Sequence, residues 1–181
     1  VGEGFLGFDR LVFHGLAKLS TGAGGDVIQV AAVGSGLLMA TACDFRISTP
    51  DARFGIPVAK TLGNCLSPSN LSWLAAHLGI PTVKKMLLTA ELIKAPELLE
   101  SGFLLQTAEA AEIHAATNAL AHKLAALAPI TQKASKLTLA RLLQSNLPDC
   151  TDLMRETYNS KDFREGVNAF LEGRSPKWLG E

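Results

Sequence analysis

The sequence predicts a mixed α/β core followed by an all-helical C-terminal part. Residues 27–33 form a short apolar run rich in β-branched side chains, typical of a strand buried on both faces of a sheet. From Ala108 to Glu165 the chain contains no glycine, and alanine and leucine recur at helical spacing. This change of composition predicts a boundary between an α/β part at residues 1–107 and a helical part at residues 108–181.

Length, charge and cysteine content narrow the class of protein. The 181 residues, 48% of them hydrophobic, suffice for a sizeable core, and 17 basic residues offset 17 acidic ones. A net charge of zero predicts no binding to nucleic acid or to an anionic membrane surface. No apolar run reaches the roughly 18 residues of a membrane span. Cys43, Cys65 and Cys150 show no metal-binding spacing, so we expect no metal site and a reducing, cytoplasmic compartment.

The first half of the chain alternates strands and helices. The glycine-rich start is predicted to be a loop, and the strand at residues 27–33 is followed by a tight turn and a helix. Ser67 and Pro68 have the residue types of a helix N-cap and first position, and Gly79 is predicted to end that helix. The remaining elements predicted here are an amphipathic helix at residues 10–19, a strand at residues 45–48, a strand beginning near residue 53, a helix at residues 82–89, and a short apolar strand at residues 103–104 after a helix that ends at Gly102.

The second half is predicted to contain four helices. Their apolar residues recur at helical spacing, and prolines or a Ser-Lys pair separate them. The predicted helices span residues 108–127, 130–144, 149–160 and 162–171.

The turn Gly34-Ser35-Gly36 is where the sequence first indicates chemistry. Glycine allows a sharp turn and a close approach to the main chain, and the following helix leaves its first N–H groups unpaired. Such N–H groups suit an anion or a developing oxyanion. The alternative is that the glycines only make a tight connection from strand to helix.

The continuation of this segment is more specific. Cys43-Asp44 precedes a predicted strand, and Ala52-Arg53-Phe54-Gly55-Ile56-Pro57 follows it. In order and spacing this segment resembles the centre of the crotonase (enoyl-CoA hydratase/isomerase) superfamily. The resemblance implies a crotonase-like ββα spiral core followed by a helical trimerisation region. It also implies a coenzyme A thioester as substrate, no permanently bound cofactor, and a homo-trimer or hexamer.

The resemblance also implies an oxyanion hole made of backbone N–H groups. The segment Gly4-Phe5-Leu6-Gly7-Phe8-Asp9 is similar to a family segment that supplies one N–H, which places that group at Leu6. The second N–H falls at Ser35 or Gly36, and Gly7 and Asp9 become candidates for binding CoA. The alternative for this N-terminal segment is a loop without a role. The family has further strands before it and longer loops around it, so the resemblance predicts a fragment or a sequence with loops missing.

Leu38 and Val58 occupy the positions at which family hydratases carry two water-binding glutamates. Neither side chain can accept a proton, so the two-glutamate hydration mechanism is not expected. Asp44 and Asp51 are the nearest carboxylates, and a structural role is favoured for both. Asn64, with Cys65 and Ser67, is expected either to line the same pocket and orient a polar substrate or to cap the next helix.

Residues 160–178 resemble the last helix of the family and its basic, aromatic end. This resemblance implies that Phe170 and Lys177 contact the CoA of a neighbouring subunit. The alternatives are ordinary helix packing for Phe170 and a solvated side chain for Lys177. The sequence therefore predicts an acyl-CoA enzyme with an intact oxyanion hole and an altered acid/base set. The alternative is a catalytically silent crotonase-fold protein that binds acyl-CoA or serves as a scaffold.

Overall fold

Two three-stranded sheets form the α/β part of the chain. The computed structural model describes residues 25–28 and 31–180, with side chains from residue 31 onward. The first sheet is parallel and has the order β1-β3-β6, and in the second β2 and β4 run parallel while β5 is antiparallel to β4. The strands are β1 (Gly25–Ile28), β2 (Ala31–Val33), β3 (Phe45–Ser48), β4 (Arg53–Gly55), β5 (Ile93–Lys94) and β6 (Gln106–Thr107).

The prediction of a single strand at residues 27–33 is wrong in one respect. The run is divided between β1 and β2, which belong to different sheets. The next passage of the chain repeats the pattern, since β3 pairs with β1 and β4 pairs with β2. Each passage therefore adds one strand to each sheet and then enters a helix, which confirms the ββα spiral. A continuous apolar run fits both a straight strand and two short ones, so the division was not visible in the sequence.

The helices of this part follow the predicted caps. The Ser67 hydroxyl accepts a hydrogen bond from the Asn70 N–H at 3.3 Å, and Gly79 ends the helix with φ +76°. The following helix begins two residues before the predicted start, because Gly79 also serves as its N-cap and Pro81 fits its first turn. The four helices are α1 (Ser35–Ala42), α2 (Pro68–Leu78), α3 (Ile80–Leu88) and α4 (Ala95–Glu100).

The strand predicted at residues 103–104 lies further along the chain. Phe103 and Leu104 are buried in the core, and pairing with β3 begins after them. The Leu105 N–H donates to the Arg46 carbonyl at 2.9 Å, and Ala108 donates to Ser48 at 3.0 Å. Phe103 and Leu104 are therefore apolar because they pack in the core, and they do not pair as strand residues.

One hydrophobic core joins the β2-β4-β5 sheet to helices α1 to α4. The rings of Phe54 and Phe103 meet edge to face, with centroids 6.1 Å apart. Full burial of a large apolar side chain contributes about 1.5–3 kcal/mol, so this cluster is the main stabilising element of the fold. The largest members, each less than 2% exposed, include Leu37, Phe54, Ile56, Leu74, Met86, Ile93, Leu98 and Phe103.

Arg46 is a buried cation that ties α1 to the segment after α4. Its Nε donates to the Phe103 carbonyl at 2.6 Å, and its Nη1 donates to the carbonyls of Ala40 at 3.1 Å and Cys43 at 2.5 Å. The guanidinium also lies 4.4 Å from the centroid of the Phe103 ring. Burying a charged guanidinium costs free energy unless it is hydrogen-bonded, and these contacts offset that cost.

After β6 the described residues contain helices and no further strand. The helices are α5 (Ile113–Ala125), α6 (Pro129–Gln144), α7 (Thr151–Asn159) and α8 (Lys161–Glu172). The first of them starts five residues later than predicted, after a turn in which the Glu112 N–H donates to Glu109. The division of the chain into residues 1–107 and 108–181 stays a prediction.

Helix α6 has no buried side chain and lies against α2. The Ser72 hydroxyl donates to the Leu143 carbonyl at 2.9 Å, and Lys136 forms an ion pair with Asp44 at 2.9 Å. Its large apolar side chains Ile130, Leu139 and Leu142 are exposed in the single chain.

Candidate active site

Two strand ends bring the glycine turn beside the segment that follows β4. Val33 and Gly55 are register partners in the parallel pair β2-β4, so the chain leaves both strands at the same sheet edge. Gly34 has φ +60° and ψ −124°, a conformation that side chains disfavour, and its N–H donates to the Gly55 carbonyl at 2.9 Å. Residues 34–38 and 56–58 are therefore neighbours. Such an edge is where open α/β sheets bind their ligands.

Helix α1 begins at this edge with free main-chain donors. The N–H groups of Leu37 and Leu38 both bond to the Gly34 carbonyl, at 3.1 and 3.3 Å. Within the part of the chain that the structure describes, the N–H groups of Ser35 and Gly36 meet no acceptor, and no side chain caps the helix. Among residues 31–180, no atom would lie within 4 Å of a Cβ added at Gly36. A ligand oxygen can therefore approach these two donors at the positive end of the helix dipole.

Leu38 and Val58 flank this edge with aliphatic side chains. Both are partly buried and pack against the main hydrophobic core. Val58 lies in a tight turn at residues 57–63, in which its carbonyl accepts from the Thr61 N–H at 3.3 Å and the Gly63 N–H at 2.8 Å. Both positions thus adjoin apolar side chains of the core, and neither side chain can carry a proton.

Asn64 and Ser67 have different surroundings although both were expected near the pocket. The Ser67 hydroxyl is used by the N-terminus of α2, as the capping alternative required. The Asn64 Oδ1 is buried and has no hydrogen-bond partner among the residues that the structure describes. An unsatisfied buried acceptor costs about 1–3 kcal/mol, so a donor from a ligand or water at Asn64 would be favourable.

The nearby carboxylates have structural surroundings. Asp44 is held by Lys136 of α6, and Asp51 lies exposed in the turn between β3 and β4.

His77 of α2 stacks on Trp73 with centroids 5.4 Å apart and donates to the Trp73 carbonyl if Nδ1 carries the proton. Burial lowers the pKa of His77, and the positive charge of Arg46 lowers it further. No group of three or more His, Cys, Asp or Glu residues suited to a metal occurs within residues 31–180.

The other predicted site residues belong to the C-terminal part of the chain or lie outside the described residues. Phe170 on α8 is 71% exposed, and Lys177 is exposed beyond the end of that helix. The Lys177 N–H donates to the Glu165 carboxylate at 2.9 Å. The predicted positions Leu6, Gly7 and Asp9 are outside the described residues.

A cover over the turn at residues 57–63 was not predicted from the sequence. The Trp178 ring lies 3.0 Å from the position that a Cβ on Gly63 would take, and α8 approaches Leu62 at Gly166. A glycine inside a helix is costly unless close packing requires it, so Gly166 was a usable signal for this contact. Nothing in the sequence indicated that Trp178 would meet Gly63.

Among the helices that the structure describes, none has the length and apolar character to cross a membrane.

A family model described as "Enoyl-CoA hydratase/isomerase" matches residues 27–181. The "Short-chain-enoyl-CoA hydratase" of Clostridium acetobutylicum is 29% identical over 147 residues, which cover 79% of this chain and 56% of the relative. The "Probable enoyl-CoA hydratase" of Bacillus subtilis is 32% identical over 163 residues, covering 85% of this chain and 61% of the relative. The chain thus spans less than two thirds of the length of these relatives.

Solved structures show the same fold. A methylmalonyl-CoA decarboxylase complexed with 2S-carboxypropyl CoA superimposes with a TM-score of 0.80 at 27% identity, covering 87% of this chain and 62% of that one. A carnitinyl-CoA hydratase from Mycobacterium avium gives a TM-score of 0.71 at 25% identity, covering 83% of this chain and 60% of that one. The crotonase-like architecture and the family match agree, and the chain belongs to the enoyl-CoA hydratase/isomerase family.

Proposed function

We propose that the chain acts on acyl-CoA thioesters by stabilising an enolate with backbone N–H groups, while its acid/base set is altered. The proposal is carried by the N–H groups of Ser35 and Gly36, which meet no acceptor among the described residues. They lie beside the segments that carry the aliphatic side chains of Leu38 and Val58. Main-chain donors do not depend on side-chain identity, so the loss of both glutamates leaves this half of the machinery in place. In this proposal the N–H of Leu6 is the second partner of the thioester oxygen.

The altered positions favour one class of reaction. Hydration of an enoyl thioester needs a positioned group that takes a proton from water, and Leu38 and Val58 provide none. Decarboxylation of a 2-carboxyacyl thioester needs no base: the bond between the α-carbon and the carboxylate breaks, and its electron pair moves to the thioester oxygen. Carbon dioxide leaves, and a proton from solvent then adds to the α-carbon. An apolar wall also disfavours the substrate carboxylate relative to neutral carbon dioxide.

The proposed binding residues follow the same scheme. Asn64 offers a buried, unsatisfied acceptor near the turn that carries Val58, which supports a contact with a polar part of the substrate. Gly7 and Asp9 are proposed to bind CoA, and Phe170 and Lys177 are proposed to contact the CoA of a neighbouring subunit. The exposure of both C-terminal residues is compatible with that role.

A second candidate is a catalytically silent protein that binds acyl-CoA or serves as a scaffold. It is favoured by the same two side chains, because two aliphatic residues at the acid/base positions also fit a protein that performs no chemistry.

Oligomers also form part of the proposal. The exposed apolar side chains of α6 support a homo-trimer or hexamer in which a second subunit covers them. Sedimentation of a monomer at micromolar concentration would contradict this.

Three measurements on one preparation separate the candidates. Calorimetry measures binding of an acyl-CoA thioester, release of carbon dioxide from a malonyl-type thioester measures decarboxylation, and loss of the enoyl chromophore of crotonyl-CoA measures hydration. We expect binding and decarboxylation. Hydration should be about 10²- to 10⁴-fold slower than in an enzyme that has a positioned acid or base. Binding without turnover would support the silent protein, and rapid hydration would refute the altered acid/base set.

The double variant Leu38→Glu/Val58→Glu tests the two positions directly. It restores two carboxylates beside the same main-chain donors, so we expect hydration of crotonyl-CoA to rise. The isosteric variant Leu38→Gln/Val58→Gln is the control, since it adds polarity without a proton acceptor. Equal hydration rates for the two double variants would contradict the assignment.

A further inference from the structure

The turn at residues 57–63 is held together by its own main chain. The Thr61 N–H donates to the Pro57 carbonyl at 3.1 Å, and the Gly63 N–H donates to the Val58 carbonyl at 2.8 Å. Gly63 closes the turn with φ +65°, in the region that favours glycine. Any displacement of Gly63 is therefore transmitted to Val58 through a direct hydrogen bond.

Two C-terminal elements cover this turn. The indole of Trp178 lies 3.0 and 3.3 Å from the position that a Cβ on Gly63 would take. A Cβ on Gly166 of α8 would lie 2.6 Å from the carbonyl carbon of Leu62 and closer still to its oxygen. We call α8 together with residues 174–180 the clasp. The helix packs on Leu62 and the indole on Gly63, while the outer part of Trp178 stays exposed, at 38% of its surface.

The tail of the clasp is hydrogen-bonded to the first half of α8. Asp162, in the first turn of α8, accepts from the N–H groups of Leu179 and Gly180 at 2.6 and 2.8 Å. Glu165 accepts from the Lys177 N–H at 2.9 Å and forms two hydrogen bonds with the Arg174 guanidinium, at 2.6 and 3.0 Å. These bonds lower the pKa of Glu165 to about 2, so its carboxylate is ionised at neutral pH. The N–H groups on either side of Trp178 thus donate to carboxylates of α8, and these bonds hold the tail over the turn.

We propose that Trp178 is a positioning residue, which holds the turn at residues 57–63 so that Val58 and the following Asn64 keep their places in the acyl pocket. The proposal rests on the proposed function, because it takes Val58 as part of that pocket. Trp178 would thus affect how the substrate binds, although it does not belong to the sheet edge where β2 and β4 end. The contact is with Gly63, and the effect reaches the substrate through Val58.

Loss of the Trp178 contact should affect mainly the binding of the acyl group. The CoA portion is proposed to contact Gly7 and Asp9 and, from a neighbouring subunit, the side chains of Phe170 and Lys177, which Trp178→Ala leaves in place. Val58 and Asn64 are proposed to line the side that receives the acyl chain. Loosening the turn should therefore weaken binding of an acyl-CoA thioester more than binding of CoA itself. A residue that only stabilises the fold would change both affinities by the same factor.

The experiment compares three variants in the full chain. Trp178→Ala removes the indole, and Trp178→Phe keeps a smaller ring over Gly63. Leu179→Ala is the matched control, because that side chain is 67% exposed and its main-chain bond to Asp162 remains. Hydrogen exchange is measured for peptides within residues 57–66 without ligand, and calorimetry measures the affinities for CoA and for a short acyl-CoA.

For Trp178→Ala we expect exchange at residues 57–66 to rise about 5- to 30-fold, while α1 and α2 keep their protection. The preference for acyl-CoA over CoA should fall, and Trp178→Phe should restore most of both properties. The Leu179→Ala variant should match the unmodified chain.

Unchanged exchange in Trp178→Ala would overturn the proposal, as would faster exchange with an unchanged preference for acyl-CoA. Exchange that rises equally throughout α1 and α2 would also overturn it, because Trp178 would then stabilise the fold in general. If the unmodified chain binds no acyl-CoA, the proposed function fails, and exchange in the turn still decides whether Trp178 holds it.

Discussion

Replacing Gly166 with alanine tests how closely α8 lies on the turn after β4. The new Cβ would stand 2.6 Å from the carbonyl carbon and 3.0 Å from the Cα of Leu62. Carbon atoms normally approach to about 3.5–4.0 Å, so the helix or the turn has to move by about 1 Å. Both contacts involve main-chain atoms, which cannot rotate away as a side chain would.

Two opposing effects set the size of the change. Alanine favours a helix interior over glycine by about 0.5–1 kcal/mol. Forcing an extra carbon into a packed contact costs about 1–3 kcal/mol, and more where only backbone can yield. We therefore expect the free energy of unfolding to fall by about 1–2 kcal/mol.

Urea unfolding followed by circular dichroism measures this change. Asn168→Ala on the same helix is the control, because residue 168 is exposed and alanine should leave stability unchanged or raise it by up to about 0.7 kcal/mol. The urea midpoint should fall for Gly166→Ala at an unchanged slope. A Gly166→Ala chain as stable as the unmodified one would refute the close contact between α8 and Leu62.

Three further predictions concern the site and the pH dependence of stability. Gly36→Ala should fold normally, since the methyl group meets no atom of the described residues within 4 Å, but it should weaken acyl-CoA binding in calorimetry; equal affinity would place the ligand elsewhere. His77 has a lowered pKa, so the unfolded chain binds its proton more readily and stability should fall as the pH drops below about 6.5. His77→Gln should lose this part of the pH dependence in urea titrations between pH 5 and 8, and an unaltered profile would count against it. Glu165, with its pKa lowered from 4.5 to about 2, should stabilise the chain above pH 4.5 and lose that effect as the pH falls toward 2. Thermal unfolding of Glu165→Gln should converge with that of the unmodified chain at the acidic end, and a constant difference would contradict the assignment.

Local signals in the sequence accounted for most of the elements. The Ser67 cap, the stop at Gly79 and the fold class were predicted because each depends on neighbouring residues or on a recognisable motif. The division of residues 27–33 between two sheets and the shift of β6 beyond Phe103 depend on which strands pair, and pairing is decided by distant parts of the chain. Apolar character alone does not distinguish a core side chain from a strand residue.

The site residues stay predictions, but the structure shows how the segments that carry them come together. The glycine turn and the aliphatic positions Leu38 and Val58 follow from the motif, and the structure shows that parallel pairing of β2 and β4 makes their segments neighbours. The cover by Trp178 could not be predicted, because it joins residues 115 positions apart through a contact with a glycine that has no side chain. The predicted roles of Phe170 and Lys177 concern a neighbouring subunit and stay predictions.

The hydrogen bond from the Gly34 N–H to the Gly55 carbonyl has a consequence for how such a chain can diversify. It fixes the two strand ends through atoms that every residue possesses, so mutations of the side chains at positions 38 and 58 leave the framework of the site intact. Natural variation or directed evolution can therefore exchange acid, base and aliphatic groups at these positions one at a time. If the proposed function holds, each intermediate would keep a folded site for the thioester, so one reaction could change into another through variants that all fold.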